Sequence, residues 1–150
     1  MAYTQLLYHI VFRTKNSRMT ISEPNERLMY KYIFETSQNI GCTIHRIGGM
    51  PDHIHILVSL PPTLAVAQYV ETVKTSLSKC FGHSPEFPAF EGWASGYAAI
   101  TYSTREKDMI VNYIKRQKAH HKTRSFADEY RLILQQAGIA IDECYFLKNE

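Results

Sequence analysis

The chain has 150 residues, 45% hydrophobic and 21% charged, a balance typical of one globular domain burying about two thirds of the surface its unfolded form exposes. Its formal charge of +3 is compatible with a polyanionic partner, and no apolar run approaches the roughly 20 residues that span a bilayer. The N-terminus lacks the features of a signal peptide, and Cys42, Cys80 and Cys144 match neither a disulfide framework nor a zinc finger, so a reduced, cytoplasmic protein is expected.

Thr4 to Arg13, rich in aromatic and β-branched residues, reads as a first strand, followed by a polar loop from Thr14 to Ser22. A helix is expected from Pro24 to Asn39, where Leu28, Met29, Tyr32, Ile33 and Thr36 keep helical spacing as far as the terminator Gly41. Cys42 to Ile47 is a second strand. Gly48 and Gly49, then Met50, Pro51 and Asp52, are expected to turn the chain into a third strand ending at Val58. Pro61 and Pro62 end that strand. Thr63 can cap a helix running to about Phe81, with Leu64, Val66, Ala67, Val70, Val73 and Leu77 on one apolar face. After a loop from Gly82 to Glu91, Trp93 to Tyr102 reads as a fourth strand interrupted by Gly96. Ser103 or Thr104 can cap a third helix, Arg105 to His121. Ser125 to Ala137 forms a fourth helix closed by Gly138, and Ile139 to Phe146 trails away as an extended segment.

The order β-α-β-β-α-β predicts an α+β fold, a ferredoxin-like or RRM-like antiparallel sheet with two helices on one face and additional C-terminal helices. The expected division is a single unit with a core over about 1–104, a helix over about 105–121, and a helix and tail over about 125–150. Such a sheet leaves its other face for a site.

The third strand carries a histidine pair. Strand side chains alternate between faces, so His53 and His55 point one way while Ile54, Ile56 and Val58 point the other. Two imidazoles on one face can hold a divalent metal beside a phosphate, or can be strand histidines with no metal at all. In the third helix Tyr113 and Gln117 are four residues apart and share a face. If that helix crosses the histidine face, Gln117 can offer its carbonyl oxygen as a third ligand, with Tyr113 as a nucleophile beside an activated phosphate. Phosphodiester transesterification needs such a nucleophile and a Lewis acid to offset charge on the phosphoryl oxygens. A phenol of pKa roughly 10 also needs help to act at neutral pH. Tyr97 and Tyr102 are rival tyrosines, though their strand positions suit packing.

Four strings together carry a family resemblance: Tyr8 to Asn16 (YHIVFRTKN), Gly48 to Val58 (GGMPDHIHILV), Trp93 to Ser103 (WASGYAAITYS) and Asn112 to His121 (NYIKRQKAHH). In this order the chain resembles the single-tyrosine HUH transposases of the small insertion-sequence type, the IS two-hundred/six-hundred-five family, over nearly its whole length. The resemblance implies that His53 and His55 are the HUH metal ligands, Tyr113 the catalytic tyrosine and Gln117 the third ligand. It further implies a homodimer that cuts and rejoins single-stranded DNA with hairpin ends through a 5'-phosphotyrosine intermediate, using Mg2+ or Mn2+. The tyrosine helix can be shared across such a dimer. Imidazole ligands favour manganese over magnesium in vitro.

Asp52 is a turn residue that can also orient a ligand imidazole. Arg13 and Lys15 can grip a DNA backbone or solvate a loop, and Arg116 and Lys118 read as phosphate contacts. His120 and His121 match a recurring family pair, with a basic, DNA-facing helix end as the plainer reading. Trp93 reads as a packing anchor. Against the transposase stand a non-catalytic RRM-like module that stacks bases on its sheet, another kind of HUH enzyme, and a domesticated, repeat-associated relative.

Overall fold

A computed structural model describes residues 1–148. In chain order it has β1 (Leu7–Arg13), α1 (Glu26–Asn39), β2 (Thr43–Met50), β3 (His53–Ser59), α2 (Val66–Phe81), β4 (Ala98–Tyr102), α3 (Lys107–Lys115), α4 (Gln117–His120) and α5 (Phe126–Gln136), with short 3-10 turns before α1 and α3. The four strands lie in the order β2-β3-β1-β4, every pair antiparallel, which is the ferredoxin-like arrangement expected. Among the described residues no helix is long and apolar enough to cross a membrane.

Strand alternation gives the sheet two different faces. Ile10 and Phe12 of β1 and Ile54, Ile56 and Val58 of β3 pack on Met29 and Ile33 of α1 and Val70, Val73 and Leu77 of α2. Fully burying each such side chain contributes roughly 1.5–3 kcal/mol, so this face holds the main core. Inside it the Ser37 and Tyr69 hydroxyls satisfy each other at 2.7 Å. The opposite face carries two smaller apolar patches. Leu7 and Leu57 meet Ile110 and Ile114 of α3, while Val11 and Ala98 meet Phe126 and Ile133 of α5. The face expected to be free is therefore covered, and His9, His53 and His55 lie buried beneath its cover.

Several boundaries differ from the sequence reading. Gly48 and Gly49 lie within β2 and the turn is the two-residue Pro51-Asp52, since Met50 pairs with His53. The glycines are needed for close approach. A Cβ on Gly48 would sit 2.9 Å from the backbone oxygen of Ile114, and one on Gly49 would sit 2.3 Å from that of His53. β4 starts at Ala98 because Gly92 and Gly96 hold positive φ, of 103° and 87°, and turn the chain on either side of Trp93. Trp93 instead packs edge-on against Phe12 and Phe90 at 4.8 and 5.0 Å. Helix α2 begins at Val66, after a turn in which Leu64 N–H bonds Pro61 O at 3.2 Å. The long helix expected over 105–121 starts behind a capping box of Ser103 and Glu106 and breaks at Arg116, where the backbone leaves helical geometry (φ −96°, ψ 16°). The tail expected to be extended folds into turns over 143–147.

Candidate active site

The site grows from the β2-β3 hairpin. His53 and His55 are both fully buried. Each ring is held through its Nδ1 atom, that of His53 by Asp52 Oδ1 at 2.7 Å and that of His55 by His9 Nε2 at 2.8 Å. Both Nε2 atoms are thereby turned toward the same point, which is how outer partners fix metal-binding imidazoles. Asp52 thus does orient an imidazole, while His9 is a partner that the sequence reading passed over. It sits in β1, the strand next to β3, on the same face as the pair.

At that point lies Glu129, the second residue missed. Its Oε1 is 3.2 Å from His55 Nε2, 3.3 Å from His53 Nε2 and 3.0 Å from His121 Nε2. Ser125 starts α5 by accepting the N–H of Asp128 at 3.2 Å. One turn of helix then places Phe126, whose ring stacks on His53 at 4.2 Å, and Glu129 side by side. The signal was present in the sequence: Phe126, Glu129 and Ile133 follow helical spacing, so an acid interrupts an apolar stripe.

Three protein ligand atoms, from His53, His55 and Glu129, lie within 4.8 Å of one another. Separations near 3 Å between neighbouring donors suit bonds of about 2.0–2.2 Å to one small divalent ion. Two imidazoles and a carboxylate form a borderline donor set that suits manganese better than magnesium. His53 Nε2 faces two oxygen acceptors, Gln117 Oε1 at 3.0 Å and Glu129 Oε1. Burial opposes its charge, but the bonds to Asp52 and Glu129 outweigh this and raise its pKa to about 9. Burial, with the neighbouring His53, lowers that of His55. Burial works against the Glu129 anion too, yet the bonds from His53 and His55 hold it well below the usual carboxylate range.

Helix α3 brings the phenol. Tyr113 donates its hydroxyl to Glu129 Oε2, and Gln117 Nε2 donates to the same oxygen at 2.7 Å. The break at Arg116 swings Gln117 inward, to 2% exposure. Burial, then the bond to Glu129, push the Tyr113 pKa above its ordinary value, with Gln117 and Arg124 opposing. Beside Tyr113 opens a cleft of about 580 Å³ between α3, β4 and α5, lined by His9, Tyr102, Met109, Arg124 and Gln136 among others.

The basic candidates divide. Arg13 is only 7% exposed and donates to Ser17 and to the backbone oxygen of Lys148, so it ties the tail to β1 instead of facing solvent. Lys118 pairs with Glu26 at 2.7 Å and bonds Gly49 O at 3.1 Å, which pins α4 to α1 and β2. Lys15 and Arg116 are exposed. His120 stacks on Tyr113 at 4.8 Å with its Nε2 buried and unbonded, and His121 reaches Glu129, so both belong to the site.

Comparison with known proteins shows the family and the fold. Residues 2–117 match the family described as "Transposase IS200 like", a span that includes His53, His55, Tyr113 and Gln117 and stops short of Glu129. The chain is 28% identical over 119 residues to the ISDra2 transposase TnpA of Deinococcus radiodurans, covering 75% of this chain and 84% of that protein. Two solved structures share the fold. One, described as a transposase from Deinococcus radiodurans, has a TM-score of 0.58 at 20% identity, covering 77% of this chain and 93% of the other. The second, a REP-associated tyrosine transposase bound to a REP hairpin, has a TM-score of 0.61 at 14% identity, covering 81% and 72%.

Proposed function

The chain belongs to the IS200-like transposase family, and on that premise we propose that it cleaves and rejoins single-stranded DNA by transesterification at Tyr113, assisted by a divalent ion. The observation that carries this reading is the convergence of the Tyr113 hydroxyl and the His53 and His55 Nε2 atoms on the two oxygens of one carboxylate, Glu129.

His53, His55 and Glu129 would hold the ion, with the Gln117 amide oxygen beside them as a further donor; Mn2+ would suit the set best and Mg2+ is the alternative. When bound, the ion offsets negative charge on the phosphoryl oxygens. The rest of the chemistry belongs to the chain. A strand lying in the cleft passes Tyr113 and Arg124, which line it together. The phenol oxygen bonds to phosphorus, the bond from phosphorus to the 3' oxygen breaks, and the departing 3' oxygen takes up the proton that the phenol gives up, becoming the 3' hydroxyl of the new strand end. Glu129 Oε2, to which the phenol already donates, relays that proton and does not keep it, because the bonds from His53 and His55 make it a weak base. The product is a 5'-phosphotyrosine, whose attack by a 3' hydroxyl rejoins DNA and returns the phenol.

Hairpin recognition extends to this chain from the hairpin-bound relative. An RRM-like stacking module would need an open sheet, and here α3 and α5 cover the face that bears the histidines. The test uses single-stranded DNA from the flanks of the gene. Cleavage with Mn2+ that stops on chelation supports the reading; binding without cleavage under any divalent ion overturns it.

A further inference from the structure

The cleft beside Tyr113 is not lined for phosphates alone. Ile100 of β4, Ile110 of α3 and Ile133 of α5 give it apolar walls, and Tyr102 adds an aromatic ring at the end of β4. Met109 stands one helical turn before Tyr113 on the same face of α3, and it is left 58% exposed. A lone exposed methionine needs no explanation. One that lines an apolar cleft shared with the nucleophile has a place where an apolar ligand face can meet it.

Charge in the cleft is sparse. Arg124 is the one arginine or lysine of its lining. The one carboxylate there, Glu106, is taken up by the backbone N–H and hydroxyl of Ser103, at 3.0 and 3.1 Å, and His9 is bonded to His55. A row of phosphates calls for several cations. One cation beside an apolar hollow of about 580 Å³ matches a single nucleotide, which joins one anionic phosphate to one flat base.

We propose that the cleft seats the unstacked base of one nucleotide bordering the scissile phosphate, held against Met109 and Tyr102, while Arg124 holds that phosphate. The inference rests on the transposase reading and adds a base contact at the cut made by the protein itself. Tyr113 lines the same cleft, so a base seated there belongs to a nucleotide next to the bond that breaks. A thioether and a phenol ring can each pack on the face of any base, so the cleft demands that a base be present more than it selects which one. Drawing that base out of the strand also fixes the phosphate beside the phenol, which is the positioning that transesterification needs.

The test uses Tyr113→Phe protein, so that no chemistry enters, and single-stranded DNA from the flanks of the gene in which each base in turn is replaced by an abasic site. Fluorescence anisotropy gives the affinity of each strand for this protein and for the same protein carrying Met109→Ala, Met109→Leu or Arg124→Gln. Met109 and Arg124 are exposed, so melting temperatures should not change. One position should stand out, bordering the cut that the parent protein makes, where loss of the base weakens binding about tenfold. Met109→Ala should shrink that penalty to about threefold or less, and Met109→Leu should restore it. Arg124→Gln should weaken every strand alike and make the salt slope shallower by about 0.7, the share of one phosphate contact on a single strand. A scan with no outstanding position overturns the proposal. So does a penalty that Met109→Ala leaves intact, an outstanding position remote from the cut, or an unchanged salt slope in Arg124→Gln. The scan reads binding alone, so a strand that is never cut under any divalent ion overturns the transposase reading, while the abasic penalty and its dependence on Met109 still decide whether the cleft holds a base.

Discussion

The Tyr113 hydroxyl on α3 donates to Glu129 Oε2 on α5, while the other oxygen of that carboxylate faces His55 at 3.2 Å. One buried acid therefore ties the tyrosine to the histidines. Replacing Glu129 with Ala strands the Tyr113 hydroxyl, the Gln117 amide and the histidine nitrogens in a water-poor pocket. The expected cost is about 2–3 kcal/mol, seen as a melting temperature several degrees lower. Mn2+ affinity, measured by the loss of the free-ion electron paramagnetic signal, should fall at least about tenfold. Glu129→Ala with undiminished Mn2+ binding would place the ion elsewhere.

Gly48 controls the seat of α3. A Cβ there would meet Ile114 Cγ2 and the Ile114 backbone oxygen, each at 2.9 Å, so Gly48→Ala must push the helix away from β2. Overpacking of this kind costs about 1–3 kcal/mol. It also displaces Tyr113 and Gln117 relative to histidines that stay on the hairpin. Cleavage should slow by about 10- to 100-fold, since displacements near 1 Å can have that effect, while Mn2+ affinity changes little. Single-turnover kinetics beside a metal titration separates the two.

How much of this was legible in the sequence follows from how far each signal reaches. The histidine pair was readable because strand alternation is local, and the Tyr113 and Gln117 pair because helix spacing is. The sheet order followed from the succession of elements. Glu129 was not found because its role depends on α5 folding back over the sheet, a contact that local periodicity does not encode. His9 hid inside an apolar strand, and its meaning depends on β1 lying beside β3. Arg13 misled for the opposite reason: a cation at a strand end looks solvated until the tail at Lys148 closes over it. The glycines of β2 were read as turn residues because the backbone of Ile114, more than sixty positions away, is what makes a side chain intolerable at Gly48.

Tyr113 reaches Glu129, and Glu129 reaches His53 and His55, within a single chain. Chemistry in cis is therefore expected. A mixture of Tyr113→Phe and His53→Ala proteins, each inactive alone, should stay inactive after incubation together. Recovery of about a quarter to a half of the parent's activity would mean that the tyrosine helix crosses between subunits.

The thiols provide a check on the fold that is independent of DNA. Cys42 is 5% exposed, and burial pushes its thiol pKa up to about 11, whereas Cys80 and Cys144 are exposed. At pH 8 little Cys42 thiolate is available to react. Ellman's reagent should titrate Cys80 and Cys144 in the native protein, with Cys42 appearing only in denaturant. Rapid reaction of all of them under native conditions would contradict the packing of α1 against the sheet.

The central claim is that Tyr113 becomes joined to DNA. Protein incubated with single-stranded flanking DNA and Mn2+, then denatured, digested with nuclease and trypsin and mapped by mass spectrometry, gives the direct answer. The account predicts a nucleotide-bearing peptide spanning 108–115, which contains Tyr113 and no other tyrosine, and its disappearance in Tyr113→Phe. An adduct on a different tyrosine, or an undiminished adduct in Tyr113→Phe, would contradict it.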